Sequence, residues 1–377
     1  MSSLYLHIPF CSRKCPYCDF FSEVGTQQKI NNYVELLNRN IKILRQHNLD
    51  SPPFETIFFG GGTPSLLSIQ QIESILHNIQ QNFGIESTAE ITLEANPGTI
   101  DLDKLQGYRQ AGINRLSLGI QSLDDQNLQL LGRIHSAKQA QESIVAARAA
   151  GFDNLSLDLI FALPNQCLSA LEHDVSALLD FNPEHISLYG LSFEEGTEFF
   201  SRLKSGKITV CEESLYADQY LLLHEKLVAA GYDHYEISNF SRPGKRCQHN
   251  QVYWQRGNCL AVGVGSHGFD EQEWGTRWHT PTDMKRYEEL LLQGRDPVEL
   301  LETYEHYGAM KEYVYLGLRT RDGINLRKFE QKFGGQYDQV FAAAIHKTRQ
   351  YIQTDEDHSR FNIKGWLIYD HLISSYL

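Results

Sequence analysis

The chain of 377 residues is long enough for two or three domains, and its 41% hydrophobic content excludes a disordered or fibrous protein. Its 34 basic and 47 acidic residues give a net charge of −13, which argues against binding by neutralisation of nucleic-acid phosphates. No apolar run reaches the roughly 18 residues of a membrane span, so no integral span is expected. The N-terminus lacks an export signal and the cysteine count of 7 is odd, so we expect a reducing cytoplasm and no disulfide framework.

Six short apolar runs alternate with helical patterns over the first part of the chain. Their continuous hydrophobicity is typical of strands covered on both faces, which predicts a parallel α/β sheet, either open or closed into a barrel. The clearest helix is predicted at residues 136–149, where small and apolar residues recur at helical spacing before Gly151. The predicted strands are residues 4–8, 56–59, 90–93, 114–118, 155–160 and 185–188.

Polar residues or glycine follow several of these runs at intervals of about one strand–helix unit. Ligands of parallel α/β folds bind at the carboxyl ends of strands, so these residues predict one shared pocket. Each of them alone is equally well explained by a local hydrogen bond in a loop. They are Gly62, Glu94, Gln121, Asp158 and Ser192.

The second half of the chain has a different character. Residues 231–296 are rich in glycine, aromatic residues and histidine and show no regular period. From about residue 300 the pattern favours helices at 302–318, 326–333, 336–351 and 365–374, with a short strand at 359–363. We therefore predict an α/β domain (1–235), a connecting segment (236–299) and a small, mostly helical domain of winged-helix type (300–377).

Cys11, Cys15 and Cys18 follow the first predicted strand as C-x-x-x-C-x-x-C. Three thiolates on one loop can bind one soft metal centre, either zinc or an iron–sulfur cluster. Structural zinc takes four ligands, usually as two pairs, and the remaining cysteines are scattered, which favours a 4Fe–4S cluster with one open iron. The alternative is three unrelated surface thiols or a redox disulfide.

This spacing resembles that of the radical S-adenosylmethionine (SAM) superfamily, whose members bind SAM at the open iron and cleave it to a 5′-deoxyadenosyl radical. The resemblance implies a partial, six-stranded (β/α) barrel, which agrees with the predicted strands. Further motifs, from YLHIPFC at residues 5–11 to HNQVYW at 249–254, closely resemble the coproporphyrinogen III oxidase-like group. That group includes oxygen-independent oxidases and the heme chaperones of the HemW branch, and it implies a small C-terminal domain of the same kind here.

The resemblance implies SAM-binding roles for a set of residues, each of which alone also has an ordinary structural explanation. Arg133 is expected to pair with the SAM carboxylate, because a guanidinium fork fits two oxygens. Glu94 and Asp158 are expected to contact the amine or the ribose hydroxyls. His7 is instead interpreted as a hydrogen-bonded strand histidine. The implied set is Tyr5, Tyr17, Gly62, Thr63, Glu94, Gln121, Arg133 and Asp158.

Two features favour the heme chaperone branch over the oxidases. The oxidase pattern has a further cysteine where this chain has Phe20, and a longer segment ahead of the position of Tyr5. His249 begins a match to the HNxxYW motif of the chaperone branch, and neutral imidazole is a common axial ligand of heme iron. His249 is therefore the predicted heme ligand, with His267 as a weaker candidate and Cys247 better explained as a small buried hydrophobe.

The resulting hypothesis is a cytoplasmic heme chaperone that carries one 4Fe–4S cluster, binds SAM and passes heme to an unidentified acceptor protein. A membrane complex is one candidate for the acceptor, and no nucleic-acid partner is expected. No side chain is assigned a catalytic role. The alternative hypothesis is an oxygen-independent coproporphyrinogen III oxidase, which converts propionates to vinyl groups by radical decarboxylation.

Overall fold

The computed structural model describes residues 2–377. Its strands are β1 (Ser3–Ile8), β2 (Phe10–Cys11), β3 (Glu23–Val24), β4 (Phe54–Gly61), β5 (Ile85–Ala95), β6 (Arg115–Gln121), β7 (Leu155–Phe161), β8 (His185–Gly190), β9 (Asp233–Glu236), β10 (Asn239–Ser241), β11 (Cys259–Val262), β12 (His267–Asp270), β13 (Thr276–His279), β14 (Glu299–Thr303), β15 (Ile324–Asn325), β16 (Ile352–Thr354) and β17 (His358–Phe361).

The helices connect these strands and form most of the C-terminal part. They are α1 (Gln27–His47), α2 (Ile69–Asn82), α3 (Leu102–Ala111), α4 (Asp125–Leu130), α5 (Ala137–Ala149), α6 (Leu168–Leu179), α7 (Glu198–Lys204), α8 (Glu213–Ala229), α9 (Gln248–Trp254), α10 (Met284–Leu292), α11 (His306–Gly317), α12 (Leu326–Phe333), α13 (Tyr337–Val340), α14 (Ala342–Thr348), α15 (Ile363–Leu367) and α16 (Tyr369–Ile373).

One twelve-stranded sheet organises the described residues, in the order β14-β13-β12-β11-β1-β4-β5-β6-β7-β8-β10-β9. The predicted strands correspond to β1 and β4 to β8, which pair in parallel in chain order with helices between them. The predicted helix at 136–149 is α5, whose start is fixed by a capping box between Ser136 and Gln139. The α/β prediction is confirmed.

The two faces of the parallel strands differ in chemistry. Leu4, Leu6 and Ile8 of β1 are fully buried and belong to the hydrophobic core. Tyr5 and His7 alternate with them and so lie on the opposite face. We call that opposite face the inner face. On this face, Tyr5 of β1 is the pairing partner of Phe58 of β4, Phe58 pairs with Thr92 of β5, and Thr92 pairs with Arg115 of β6.

The inner face is polar along much of the central sheet, which is unusual for parallel strands. Thr92, Arg115 and Ser156 are all buried there. Such strands are normally apolar on both faces because helices cover both. Here the buried polar groups of the inner face are suited to holding a ligand.

Residues 231–296 contain β9 to β13, so the predicted irregular stretch contributes to the sheet. β11 pairs in parallel with β1 at one end, and β10 pairs antiparallel with β8 at the other. These strands are only three or four residues long, too short for the alternation of side chains to stand out in the sequence. The predicted boundary at residues 235 and 236 falls inside β9.

The C-terminal part is mostly helical, as predicted, with some shifted boundaries. The helix predicted at 302–318 begins at His306, because the preceding residues form the edge strand β14. The helix predicted at 336–351 is divided at Phe341 into α13 and α14. β15, β17 and β16 form a small antiparallel sheet against these helices. No helix among residues 2–377 combines the length and hydropathy needed to cross a bilayer.

Candidate functional site

The loop after β1 carries the predicted cluster ligands. Cys11 ends β2, and its carbonyl accepts a hydrogen bond from the Gly25 amide at 3.3 Å. Cys15 and Cys18 belong to one tight turn, because the Cys18 amide donates to the Cys15 carbonyl at 3.1 Å. All three are free thiols and are partly buried. The redox disulfide alternative is therefore not the state that the structure shows.

The three thiols share one electrostatic neighbourhood. Burial raises the pKa of the Cys18 thiol, and the neighbouring Cys15 and Cys11 add to this effect. Thr63 Oγ1 donates to Cys11 Sγ at 3.5 Å, and Arg133 Nη1 lies 3.6 Å from Cys15 Sγ. Among residues 2–377, however, no three histidine, cysteine or acidic side chains are already arranged to hold a metal ion. In its chemistry, the set of three free thiols on one loop fits a cluster with three cysteine ligands.

Two carboxylates lie on the inner face where β5 and β7 approach their carboxyl ends. Glu94 Oε2 accepts a hydrogen bond from the Gly61 amide at 3.1 Å. Burial and the neighbouring Asp158 carboxylate raise the pKa of Glu94 to about 8. Asp158 accepts hydrogen bonds from Ser117 and Ser156. Burial raises the pKa of Asp158 as well. A cation bound between the two acids would stabilise their ionised forms.

Gln121 and Arg133 converge above Gly119. A Cβ atom at Gly119 would lie 3.0 Å from Gln121 Nε2 and 3.3 Å from Arg133 Nη2. Gln121 has a φ of 67°, a strained conformation for a residue with a side chain. Its Oε1 atom and the Arg133 Nε atom are buried without a hydrogen-bond partner. Unpaired buried polar atoms are rare in proteins, so both atoms are suited to a bound ligand.

The glycine turn after β4 is closely packed against the cysteine loop. The Gly62 amide donates to the Ile8 carbonyl at 2.8 Å. A Cβ atom on Gly62 would lie 2.7 Å from the Phe10 carbonyl oxygen, so no other residue fits without displacing backbone. Thr63 follows and reaches Cys11. The turn thus holds the strand end and the cluster loop together.

The other predicted residues are placed as follows. The Tyr5 hydroxyl is 3.1 Å from His7 Nδ1, and His7 Nε2 is 3.0 Å from the Phe21 carbonyl, which agrees with the interpretation of His7 as a bonded strand histidine. The Tyr17 hydroxyl lies 3.5 Å from Arg133 Nη1. Ser192 is exposed beyond β8 and, within the described residues, makes no hydrogen bond to the rest of the set.

Comparison with known proteins identifies the family. The Radical SAM superfamily model matches residues 5–178, and the HemN C-terminal domain model matches residues 306–368. The heme chaperone HemW of Bacillus subtilis is 34% identical over 92% of this chain and 90% of its own length, and that of Lactococcus lactis is 32% identical over 100% and 97%. The chain belongs to the HemW family. HemN of Escherichia coli shares the fold of this HemW-family chain, with a TM-score of 0.84 at 22% identity over 100% of this chain and 89% of HemN.

The HNxxYW segment of this HemW-family chain forms α9, which lies against the inner face. His249 Nδ1 is hydrogen-bonded to Thr56 Oγ1 at 2.9 Å, and its Nε2 to the Tyr253 hydroxyl at 2.9 Å. The imidazole is 1% exposed and stacks on Phe58, with ring centroids 5.1 Å apart. Burial lowers the pKa of His249 to about 3, and the Arg115 charge adds to the effect. Both ring nitrogens are thus occupied, and the role of His249 as a heme ligand stays a prediction.

The sequence analysis did not identify Arg115, a buried charged residue on the inner face of this HemW-family fold. Arg115 is 2% exposed on the inner face of β6, with Glu90, Asp158 and Cys247 among the groups that raise its pKa. Its Nε atom has no hydrogen-bond partner. The signal was present in the run RLSLG, where Arg115 and Ser117 alternate with leucines inside a predicted parallel strand.

Proposed function

We propose that this chain is a heme chaperone, which binds heme and passes it to an acceptor protein from a radical SAM scaffold. The observation that carries the proposal is the 34% and 32% identity, over nearly the whole chain, to proteins named heme chaperone HemW in Bacillus subtilis and Lactococcus lactis. Phe20 supports it, since the oxidase pattern has a cysteine at this position and the Phe20 side chain here is 65% exposed. The likeness to HemN supports the fold alone.

The proposed ligands of a 4Fe–4S cluster are Cys11, Cys15 and Cys18. SAM would bind the iron that has no cysteine ligand. A bound cluster would supply the single electron that reductive cleavage of SAM requires. The chemistry of the donor set supports this assignment, since three free thiols share one short loop and Arg133 offers them positive charge.

The residues at the strand ends are the proposed SAM contacts. The unpaired Gln121 Oε1 and Arg133 Nε atoms offer one acceptor and one donor. The Glu94 and Asp158 carboxylates would bind an ammonium or ribose hydroxyls, because a positive charge relieves the repulsion between them. The Gly62 turn and Thr63 would let the backbone approach the ligand. Tyr5 and Tyr17 are the proposed flanking aromatics of this pocket.

The acceptor of heme is proposed to be a protein, and the compartment a reducing cytoplasm. All seven cysteines are free thiols in the structure, which is compatible with that compartment. The negative net charge of −13 supports a partner other than nucleic acid.

The cluster assignment is tested on anaerobically reconstituted full-length protein by absorption and EPR, with and without SAM. We expect the spectrum of a reduced 4Fe–4S cluster that changes when SAM is added, and its loss in Cys15→Ala. Cys167→Ala is the matched control, because Cys167 is an exposed free thiol outside the loop. Retention of the cluster by Cys15→Ala would remove the assignment.

The chaperone function is tested by titrating hemin into the same protein and following the Soret band. We expect saturable binding, followed by transfer of the heme to apomyoglobin added as a probe acceptor. Incubation with coproporphyrinogen III, SAM and a reductant is the parallel assay, in which no vinyl product is expected. Vinyl product without hemin binding would replace this proposal with the oxidase hypothesis.

A further inference from the structure

The inner face extends beyond β1 into a row of ionisable side chains. Ala261 of β11 pairs with Tyr5, and the pairing of Cys259 with Phe269 places His267 on the same face as Ala261. His267 pairs across strands with His279. His279 pairs in turn with Glu299. This row is therefore the outer continuation of the surface that carries Tyr5.

The row lies beside the cysteine loop. Burial lowers the pKa of His7, and the charge of the neighbouring His267 adds to this effect. A Cβ atom on Gly265, two residues before His267, would lie 3.1 Å from the Phe21 ring. Phe21 in turn follows the loop and accepts a hydrogen bond from His7 through its carbonyl. His267 is thus next to the proposed SAM and cluster site.

His267 differs in the state of its ring nitrogens from four buried histidines of the strands, the loop before α5 and α9. Within residues 2–377, the imidazoles of His7, His135, His185 and His249 each have both nitrogens hydrogen-bonded and are at most 6% exposed. The His267 side chain is exposed and, in the same described part of the chain, makes no hydrogen bond. Its ring stacks on His279, with centroids 5.7 Å apart, and leaves its nitrogens open.

The surroundings of His267 match an amphipathic planar ligand with carboxylates. The Phe21 ring lies against Gly265, two residues before His267, and Phe20, the residue before Phe21, is 65% exposed. Lys14 Nζ lies 3.4 Å from the Phe20 carbonyl, which places a cation beside this aromatic surface. A porphyrin needs an apolar cover for its ring, and its propionates favour a neighbouring cation.

We propose that His267 is the axial ligand of the iron in bound heme, with the Phe20–Phe21 segment covering the porphyrin ring. The inference rests on the proposed heme chaperone function and names the residue that holds the cargo. It places the heme at the edge of the inner face beyond β1, next to the proposed SAM site. Under this proposal α9 has a structural role. Partial burial, His279 and Arg277 lower the pKa of His267, which favours the neutral imidazole that iron binds.

The test compares hemin with metal-free protoporphyrin IX on full-length protein. In His267→Ala we expect the hemin affinity to fall at least about tenfold and the Soret band to lose its histidine-ligated position. Affinity for protoporphyrin IX should stay unchanged, because that ligand has no iron. Added imidazole should restore the Soret position in His267→Gly. His77→Ala on α2 is the matched control, since His77 is also exposed but lies outside the inner face.

The outcomes separate this inference from the function on which it rests. If the unsubstituted protein binds no hemin, the proposed function fails and the inference with it. If it binds hemin and His267→Ala has the same affinity and spectrum, the function stands and the assignment of His267 is wrong. Loss of hemin in His249→Ala, with an unchanged melting temperature and with His267→Ala unaffected, would assign the iron to α9.

Discussion

Among the residues proposed to bind SAM, Glu94 has a carboxylate that is costly to ionise, because it is buried and has a second carboxylate as its neighbour. Its carboxyl lies beside Asp158 on the inner face, and its folded pKa of about 8 is well above the ordinary value of 4.5. The Gly61 amide is the hydrogen-bond donor that partly offsets this cost. The ammonium group of a ligand would lower the free-energy cost of ionising Glu94. Glu94 is therefore suited to binding a cationic group.

Replacing Glu94 by glutamine should stabilise the ligand-free protein as the pH rises. Between pH 4.5 and about 8 the unfolded chain has released the Glu94 proton while the folded chain keeps it, so stability falls with pH in the wild type. The variant lacks this loss, and its advantage should grow by up to about 1.4 kcal/mol per pH unit in that window. Urea unfolding at pH 5.5 and 7.5 measures the difference.

Glu86→Gln is the control for this experiment, because Glu86 lies on the same strand β5 but is exposed. Its stability relative to wild type should not change between the two pH values. An advantage of Glu94→Gln that is the same at both pH values would contradict the raised pKa.

At the scale of single elements, α9 is bound to the inner face by polar contacts. The backbone amide of His249 donates to Glu90 Oε1 at 3.2 Å, and the imidazole connects Thr56 to Tyr253. The Val252 side chain, on the same helix, is 2% exposed. The imidazole of His249 and the Val252 side chain thus help to hold α9 on the inner face, whatever further role the motif has.

Removing the Thr56 hydroxyl should destabilise the fold measurably. Thr56→Val keeps the side-chain shape but leaves His249 Nδ1 buried and unpaired, which costs about 1–3 kcal/mol. Thr92→Val is the matched control, because Thr92 is equally buried on the inner face of β5 and its hydroxyl already lacks a partner. Chemical unfolding of both variants tests the assignment, and equal losses would refute the role of the Thr56–His249 bond.

The elements were predictable from sequence where one periodic signal dominated. The buried run at Leu155 and its neighbours gave β7, and the spacing around Ile144 gave α5. The short strands after residue 231 were not predictable, because their order depends on pairing with β1 and β8 across long sequence distances. Gly62 was found from its turn, whereas Gly119 was missed because its closeness to Arg133 exists only in the folded chain.

The site was predictable in its residue types more than in its geometry. The spacing of Cys11, Cys15 and Cys18 indicated one shared loop, which the structure contains. The motif around His249 indicated a ligand, but the spacing carried no information on whether its ring nitrogens are free. Burial and hydrogen-bond partners, which decide availability, are properties of the assembled sheet and of α9.

At the scale of the whole molecule, α11 joins the two ends of the sheet. Glu312 on α11 forms ion pairs with two arginines at one end of the sheet. Arg256 lies just before β11, and Arg277 lies on β13. Just beyond α11, Arg319 pairs with Glu236 of β9 at the opposite edge. The separation of seven residues corresponds to about 10 Å along a helix, so the open sheet must curve until its ends approach each other. The C-terminal part therefore closes the partial barrel.

Loss of the Glu312 carboxylate should weaken the whole fold because it leaves buried charge uncompensated. The Arg256 side chain is 1% exposed and lies 2.5 Å from Glu312 Oε2. Glu312→Ala should therefore lower the free energy of unfolding by about 3–5 kcal/mol.

Glu330→Ala, at an exposed position on α12, is the control and should change stability little. Denaturant unfolding followed by tryptophan fluorescence measures both variants, and limited proteolysis should show earlier cleavage between the sheet and the C-terminal helices in Glu312→Ala. A loss in Glu312→Ala no greater than that in Glu330→Ala would show that this network does not hold the two ends of the sheet together.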